Sequence, residues 1–300
     1  MATLVEELQQ VVGHVAEVVG PSVVRIGRGP GRGAGVVIGP NQVLTNAHNL
    51  RGPETTVTFP DGRAATASLA GSDTDGDLAV LNVDTGSAPA VVWEPALAGL
   101  APGMPVFAVV SRAGSGVRVT FGLVSAVGEA FSGPRGRTIR GSLEHTAPLG
   151  RGSSGGPIVS ATGSLIGLNT NRIGDGFYLA LPADADLRAR VDALAAGTSA
   201  SRPRLGVALA PAHAARRLRG AVGLPERDGL LVRGVQEGSP AAAAGIRQGD
   251  LIVEAAAQPM TTADQLYDVL DGATAEPLTL KLVRATEELE VRVSFDGGPA

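Results

Sequence analysis

The 300-residue chain contains no cysteine, and this absence excludes disulfides, thiolate metal sites and cysteine nucleophiles. Charged residues make up only 18% of the chain, with a net charge of -4. This balance provides no global positive field, so we expect neither nucleic acid nor an anionic membrane as a partner. Aromatic residues are scarce at 3%, whereas glycine (42 residues) and proline (20) are abundant, which indicates many turns and short strands.

Long apolar runs and an export signal are also missing. The most apolar later region, residues 86–111, is interrupted by several prolines and Glu94, so we expect no transmembrane segment. Residues 1–20 have apolar residues at helical spacing and predict an amphipathic helix. A secretory signal carries positive charge before its apolar stretch, but Glu6 and Glu7 stand there. As written, the chain is therefore expected to be cytoplasmic.

The rest of the chain divides into two units. From residue 22 to about 181, short β-rich runs alternate with Gly, Pro, Asp and Asn, a pattern typical of an antiparallel barrel or sandwich. A helical stretch follows near 184–196, and then a polar linker, GTSASRPR. The second unit has strands around one or two helices, one of them begun by a capping box of Thr262 and Gln265. We predict a helix at 1–20, a first domain at 21–196, a linker at 197–203 and a second domain at 204–296.

A serine lies among glycines in the stretch GRGSSGGPIVS at 150–160. A serine hydroxyl is a poor nucleophile at neutral pH, so acyl transfer needs a base and donors for the oxyanion. Glycines permit unusual backbone conformations, so the amides of Gly152 and Ser154 could form an oxyanion hole beside Ser154 as nucleophile. The alternative is a flexible Gly/Ser surface turn.

Four histidines compete for the role of base. His14 lies in the first helix and His213 in the second unit, while His145 follows an irregular segment without an evident orienting partner. His48 ends the strand-like run QVLT, after a glycine-lined stretch, which places its ring at a strand end. His48 is therefore our candidate for general base and acid.

The acid that orients the histidine should lie on a neighbouring element. Asp77 is the last acid before the apolar run LAVLNV, which draws its side chain to a partly buried strand start. Asp73 and Asp75 lie in the preceding turn, where acids are usually solvated, and are the second and third choices. The resulting order, His48 then Asp77 then Ser154, is that of chymotrypsin-like enzymes. A nucleophile elbow, the rival reading of GSSGG, needs a helix after the serine, and Pro157 with the turn ATG indicates a hairpin instead.

Four stretches together resemble the HtrA family of serine proteases: GAGVVIGPNQVLTNAHNL, DLAVL, RVTFGLVSAVG and GSSGGP. The resemblance covers nearly the whole chain. It implies a mostly β fold, in which a short N-terminal helix precedes a chymotrypsin-like double β-barrel and a C-terminal α+β PDZ domain. It also implies catalysis by His48, Asp77 and Ser154 with the oxyanion hole of Gly152 and Ser154. The implied function is that of a serine endopeptidase in protein quality control.

The second unit resembles the PDZ domain of that family. The stretch GSPAAAAGIRQGDLI is similar to the family's helix-and-turn signature, and RLGV at 204–207 looks like its carboxylate-binding loop. By this resemblance, the amides of Leu205, Gly206 and Val207 capture the C-terminal carboxylate of a peptide, which adds a strand to the sheet edge. The alternative is that RLGV is only the start of a strand, with no binding role.

The specificity pocket departs from the family pattern. Thr146 stands where the family commonly has aspartate, Pro148 where it has smaller residues, and Asn49, after the histidine, where it is usually apolar. No acid occurs in HTAPLGRG, so a preference for Arg or Lys is not expected. Pro148, Leu149 and Leu179 of FYLALP instead suggest an apolar wall and cleavage after small or medium aliphatic residues of unfolded or exposed segments.

Other features of the resemblance concern assembly and compartment. Relatives often form trimers through aromatics near the N-terminus, but the first aromatic here is Phe59, so a homotrimer is expected from kinship alone. HtrA proteases usually work outside the cytoplasm, which would place this protein there if the sequence is trimmed.

Rival functions have less support. The loop GRGPGRGAG at 27–35 is followed by a strand rather than a helix, so it is not a phosphate loop. The histidines are scattered and H-E-x-x-H is absent, so we expect neither a metal nor another cofactor. The alternative from another class is a catalytically weak scaffold that acts as a polypeptide-binding chaperone or PDZ adaptor.

Overall fold

The computed structural model describes residues 3–28, 33–93, 100–112, 116–132, 138–174, 176–198, 203–210, 212–271 and 277–295. The chain divides into two compact units, Met1–Ala200 and Ser201–Ala300. Two segments lie outside the described residues: 199–202, in the expected linker, and 29–32, in the loop GRGPGRGAG. The finer domain boundaries stay predictions.

The first unit begins with the predicted amphipathic helix, α1 (Leu4–Val19). Thr3 and Glu6 form a reciprocal capping box at its start, which satisfies two backbone amides. Val15 and Val19 are fully buried in the core shared with the β-strands. A 3-10 turn (Gly20–Ser22) then leads into the first strand.

The first barrel consists of six antiparallel strands: β1 (Val23–Ile26), β2 (Gly33–Gly39), β3 (Gln42–Thr45), β4 (Glu54–Thr58), β5 (Ala64–Asp73) and β6 (Leu78–Asn82). Their order is β1-β2-β3-β6-β5-β4, and pairing of β1 with β4 closes the barrel. Its interior is packed with aliphatic side chains such as Val24, Val37 and Val57. A 3-10 turn (Ala47–Asn49) follows β3 and carries His48.

The second barrel has the same closed order. Its strands are β7 (Pro105–Ser111), β8 (Val117–Ser132), β9 (Thr138–His145), β10 (Pro157–Val159), β11 (Leu165–Gly174) and β12 (Phe177–Pro182). They follow the order β10-β11-β12-β9-β8-β7, and β10 pairs with β7. β10 and β11 form the hairpin predicted after the serines. The expected double β-barrel is therefore confirmed.

Helix α2 (Ala185–Ala195) completes the first unit, and Asp184 caps its start by accepting from the amide of Leu187. Its buried face packs against β5 and β6. Arg190 of α2 donates to Asp73 Oδ2 at 2.8 Å, at the end of β5. This ion pair holds the chain just before Asp77.

The described residues of the second unit form one sheet with three helices. Its elements are β13 (Val207–Ala210), α3 (Ala212–Ala221), β14 (Leu230–Val235), α4 (Pro240–Ala243), β15 (Leu251–Ala255), β16 (Gln258–Pro259), α5 (Ala263–Asp271), β17 (Leu278–Arg284) and β18 (Glu287–Val293). The sheet order is β13-β14-β15-β17-β18, and β16 pairs with β15. Thr262 and Gln265 form the predicted capping box of α5. The sequence patterns gave no indication of α3.

None of the helices in the described part of the chain is both long and apolar enough to span a membrane.

Candidate active site

His48, Asp77 and Ser154 all line one cavity of about 500 Å³. They reach it from three places: the 3-10 turn after β3, the residue before β6, and the turn before β10. Two of these elements belong to the first barrel and the third to the second barrel. The fold thus brings the three sequence-predicted residues to one cavity.

The imidazole of His48 is fixed by the carboxylate of Asp77. The Nδ1 atom of His48 lies 2.8 Å from Asp77 Oδ2 and 3.0 Å from Asp77 Oδ1. The backbone amide of His48 also donates to Asp77 Oδ1, at 3.1 Å. The Asp77 side chain is only 1% exposed, whereas that of His48 is 33% exposed. With Nδ1 facing the carboxylate, Nε2 is the nitrogen available for proton transfer.

Two further contacts hold Asp77. Its backbone has a left-handed φ of 56°, which is uncommon for a residue other than glycine, and the side-chain amide of Asn46 donates to its carbonyl at 3.0 Å. The hydroxyl of Thr170, on β11, donates to Asp77 Oδ2 at 2.7 Å. The buried carboxylate is therefore satisfied from both barrels.

The hydroxyl of Ser154 has its own partner. It donates to the carbonyl of Thr170 at 3.1 Å, and the hydrogen bonds among the described residues include none between Ser154 and His48. To transfer its proton to the imidazole, the hydroxyl has to leave this carbonyl. The neighbouring Ser153 is buried, and its hydroxyl donates to the Gly150 carbonyl at 2.9 Å. Each serine hydroxyl thus donates to a backbone carbonyl, and the two residues differ in burial, because Ser154 is only partly buried.

The turn that carries Ser154 uses two glycines in the left-handed region, Gly152 (φ 80°) and Gly155 (φ 85°). A Cβ atom at Gly155 would collide with the Ala34 carbonyl, so the close approach of the turn to β2 requires glycine. Among the described residues, the backbone amides of Gly152 and Ser154 donate to no protein acceptor. They are available to stabilise an oxyanion.

The alternative acids, Asp73 and Asp75, are placed differently. Asp73 is 2% exposed and pairs with Arg190, and Asp75 is 8% exposed. The expectation of a solvated turn was wrong, because α2 covers this segment and supplies a cation. Neither residue lines the cavity.

His145 also differs from expectation. It ends strand β9 and is fully buried, and its Nε2 lies 3.0 Å from Asn169 Oδ1 while its Nδ1 accepts from the amide of Ala147. The prediction of an irregular segment without a partner was therefore wrong. Burial lowers the pKa of His145 to about 4, against the opposing effect of its hydrogen bond with Asn169. His145 is a neutral structural residue that supports the cavity wall through Asn169.

Only one of the three expected pocket residues lines the cavity. Leu149 does, but Pro148 and Leu179 do not, and Leu179 is 2% exposed within the barrel. Tyr178, its neighbour on β12, takes its place in the wall. Two exposed arginines, Arg151 and Arg172, also line the cavity, and Arg172 lies 5.6 Å from the centroid of the Tyr178 ring.

The predicted carboxylate-binding loop lies directly before β13, which is an edge strand of the sheet in the second unit. Leu205 is 3% exposed, and Gly206 has a left-handed φ of 76°. Their carbonyls accept from the amides of Ala241 and Gln236, which fixes the direction of the loop. Val207 is the first residue of β13 and pairs with Val235.

Thr170, Asn169 and Tyr178 were not predicted as parts of the site. The signal for the first two was the polar run NTN at 169–171, directly after the apolar start LIGL of β11. A polar residue in a buried strand needs a partner, and Thr170 finds it in Asp77. Tyr178 carried no such signal.

Comparison with known proteins agrees with this geometry. A model of the trypsin-like peptidase domain matches residues 33–168, a range that contains His48, Asp77 and Ser154, and a PDZ-domain model matches residues 231–284. The putative serine protease HhoA of Synechocystis is 32% identical over 277 residues, or 88% of this chain and 70% of the relative. The chain belongs to the HtrA family of serine proteases.

Two further relatives extend this comparison. The serine endoprotease DegS of Escherichia coli is 30% identical over 89% of this chain and 77% of its own length. The Do-like serine protease HtrA of Bacillus subtilis is 28% identical, and this chain spans 64% of its length. This HtrA protease is thus a serine endopeptidase with one peptide-binding PDZ domain.

Solved structures share the fold. The HtrA-type protease AlgW with a decapeptide matches with a TM-score of 0.70 at 24% identity, covering 96% of this chain and 99% of that one. The serine endoprotease from Yersinia pestis matches with a TM-score of 0.68 at 25% identity, covering 94% and 96%. The PDZ model begins at residue 231, so the RLGV loop lies outside its match.

Proposed function

We propose that Ser154 is the nucleophile of this HtrA protease, His48 its general base and acid, and Asp77 the acid that orients His48. The observation that carries the proposal is the contact of 2.8 Å between His48 Nδ1 and buried Asp77 Oδ2, beside the cavity that Ser154 lines. In this arrangement Asp77 selects the tautomer with its proton on Nδ1 and leaves Nε2 free as a base.

The proposed reaction follows acyl-enzyme chemistry. His48 Nε2 takes the hydroxyl proton as Ser154 Oγ bonds to the scissile carbonyl carbon, whose oxygen becomes an oxyanion. The free amides of Gly152 and Ser154 donate to this oxyanion. His48 then gives its proton to the leaving amine as the carbon–nitrogen bond breaks. Water hydrolyses the acyl-enzyme by the same route, which returns the proton to Ser154.

The substrates that we propose are unfolded or exposed polypeptide segments with a small or medium aliphatic residue before the scissile bond. Leu149 and Tyr178 supply an apolar wall, and Asp77, the one acid among the described lining residues, is occupied by His48 and Thr170. Arg151 and Arg172 form no ion pair within the described residues and give the cavity a cationic rim. This charge favours acidic residues next to the aliphatic one.

We also propose that the second unit binds peptide C-termini at Leu205, Gly206 and Val207. The position of β13 at the sheet edge supports addition of a peptide strand, and the left-handed Gly206 turns the amides at its start. A peptide with a free C-terminus should bind at least about 10-fold more tightly than its C-terminal amide, as measured by fluorescence polarisation. Equal affinities would contradict carboxylate capture.

Kinship further suggests a homotrimer. The outer face of α1 supports an interface, because Leu4 and Val5 are 80% and 74% exposed. Sedimentation equilibrium should give three times the chain mass of 30.1 kDa. A mass of one chain at micromolar concentration would contradict this assembly.

The hydrolytic function is tested with a fluorogenic peptide and with casein. Ser154→Ala should lower turnover by about four or more orders of magnitude, since triad members act as a unit. The relatives named above are all called proteases, which favours hydrolysis over a catalytically weak scaffold. Equal background rates in wild type and Ser154→Ala would favour the scaffold.

Labelling with a serine-reactive fluorophosphonate tests the identity of the nucleophile. Peptide mapping should place the adduct on Ser154, because the Ser153 hydroxyl is buried and donates to Gly150. An adduct on Ser153 would contradict the assignment.

A further inference from the structure

Asn49, the residue directly after His48, bonds to the proposed nucleophile. It is 4% exposed, and its side-chain amide donates to the Ser154 carbonyl at 2.9 Å and to Thr45 Oγ1 at 3.0 Å. The first bond joins two residues that are 105 positions apart in the chain. The same short turn therefore carries the general base and a contact with the nucleophile's backbone.

The peptide group after Ser154 is held at both ends. Its carbonyl accepts from Asn49 Nδ2 and also from the amide of Ala34 at 2.8 Å, and both donors belong to the first barrel. Its amide, that of Gly155, donates to the Asn169 carbonyl at 2.7 Å in the second barrel. This peptide group, between Ser154 and Gly155, is therefore hydrogen-bonded to residues of both barrels.

Stability alone does not explain a polar residue at position 49. Asn49 Oδ1 is buried and has no hydrogen-bond partner within the described residues, an arrangement that carries a desolvation cost. The surroundings leave room for this side chain, because a Cβ atom at Gly33 would collide with it. An apolar residue would avoid the cost, and the Ser154 carbonyl would still accept from Ala34.

We propose that Asn49 is a positioning residue, which holds the Ser154 backbone at a fixed place relative to His48. This inference rests on the proposed roles of His48 and Ser154. Small displacements of a reacting group slow acyl transfer far more than they weaken binding. Loss of the hydrogen bond from Asn49 to the Ser154 carbonyl should therefore reduce kcat and the rate of acylation while leaving KM nearly unchanged.

The test is the acylation rate with a fluorophosphonate and the kcat and KM for a peptide. Asn49→Leu, of similar volume, should lower kcat and acylation by about 10- to 100-fold, with KM within about twofold. Asn49→Asp keeps the size but replaces the donor by an acceptor that faces the Ser154 carbonyl, so its loss should be at least as large. If Asn49→Leu does not fold, the acylation rate of Asn49→Asp tests the positioning role instead.

Val57→Ala is the matched control for general destabilisation. Val57 is fully buried in the first barrel and does not line the cavity, so this variant should unfold at lower urea concentration but acylate at the wild-type rate while folded. If folded Asn49→Leu acylates within about twofold of wild type, the positioning role is wrong. A folded wild type that does not react at all contradicts the proposed function itself.

Discussion

Thr170 donates its hydroxyl hydrogen to Asp77 Oδ2 at 2.7 Å, on the oxygen that also faces His48 Nδ1. Its own carbonyl accepts from the Ser154 hydroxyl. One residue of the second barrel thus contacts both the proposed orienting acid and the proposed nucleophile. The carboxylate is buried, so each of its hydrogen bonds affects how firmly His48 is held.

Thr170→Val should therefore lower kcat/KM for a peptide substrate by about 10- to 100-fold, since a hydrogen bond to a buried charge is lost. Valine matches threonine in shape, so the fold should remain intact. Thr170→Ser is the control, because it keeps the hydroxyl and should retain most of the activity. Steady-state kinetics at neutral pH check both variants. A fully active Thr170→Val would show that the bond is not needed.

Asp77 and Asp73 should give opposite results when each is changed to asparagine. Asp77→Asn should lower kcat by about 10⁴-fold because the amide no longer favours the required imidazole tautomer. The fold should survive, since asparagine tolerates the left-handed backbone found at this position (φ 56°). Peptide kinetics together with circular dichroism measure the two effects.

Asp73→Asn should instead cost stability. It breaks the pair with Arg190 and leaves that partly buried guanidinium, among the described residues, only the longer contact of 3.8 Å with exposed Asp186, so the urea midpoint should fall. The folded fraction should keep an activity close to that of wild type. If Asp73→Asn abolished activity and Asp77→Asn did not, the order of the two candidate acids would be reversed.

The candidate site was predictable where its chemistry required particular residue types. His48 was separated from the other histidines because it ended a strand-like run, and the order of the three residues matched one known fold. Thr170 and Asn49 were not predicted, because their roles depend on contacts across the two barrels. Leu179 was expected in the pocket because the run FYLALP does not say which face of its strand lines a cavity, and Pro148 because the course of the segment between β9 and β10 depends on contacts distant in the sequence.

The fold was predictable to a similar degree. Short apolar runs between turn residues predicted an antiparallel barrel or sandwich, and the resemblance to the HtrA family implied the double barrel. The predicted capping box of Thr262 and Gln265 begins α5 in the structure. Strand β9 was missed because its sequence, TIRGSLEH, mixes charged and apolar residues without clear alternation. The burial of Asp73 was missed because its cation, Arg190, is 117 residues away.

His145 should make the protein less stable in acid. Its pKa in the folded protein is about 4, below the usual 6.5, so between these values the unfolded chain binds a proton that the folded chain does not. The stabilising effect of the neutral ring is complete above about pH 6.5 and is lost as the pH falls toward 4. Its size is on the order of a few kcal/mol.

Urea unfolding at several pH values tests this effect. In His145→Gln the decline in stability between pH 6.5 and 4 should be shallower than in wild type, because the buried titrating group is gone. His14→Gln is the control, since His14 is exposed on α1 and its loss should leave the wild-type slope. Identical slopes in wild type and His145→Gln would contradict the role of His145.

The cationic rim of the cavity should favour peptides with acidic residues beside the cleaved aliphatic one. Wild type should cleave a glutamate-flanked peptide about three- to tenfold faster, in kcat/KM, than its lysine-flanked counterpart, and salt should reduce the difference. Arg172→Gln should slow cleavage of the glutamate peptide but not of the lysine peptide, because one of the two guanidiniums that line the cavity is lost.

Arg217→Gln removes the same charge from an exposed position in the second unit and serves as the control for net charge. It should leave the ratio of the two peptides unchanged, since Arg217 does not line the cavity. The double variant Arg151→Gln, Arg172→Gln should abolish the preference for glutamate, because both guanidiniums of the rim are then gone. A preference that survives in this double variant would mean that other charges set it.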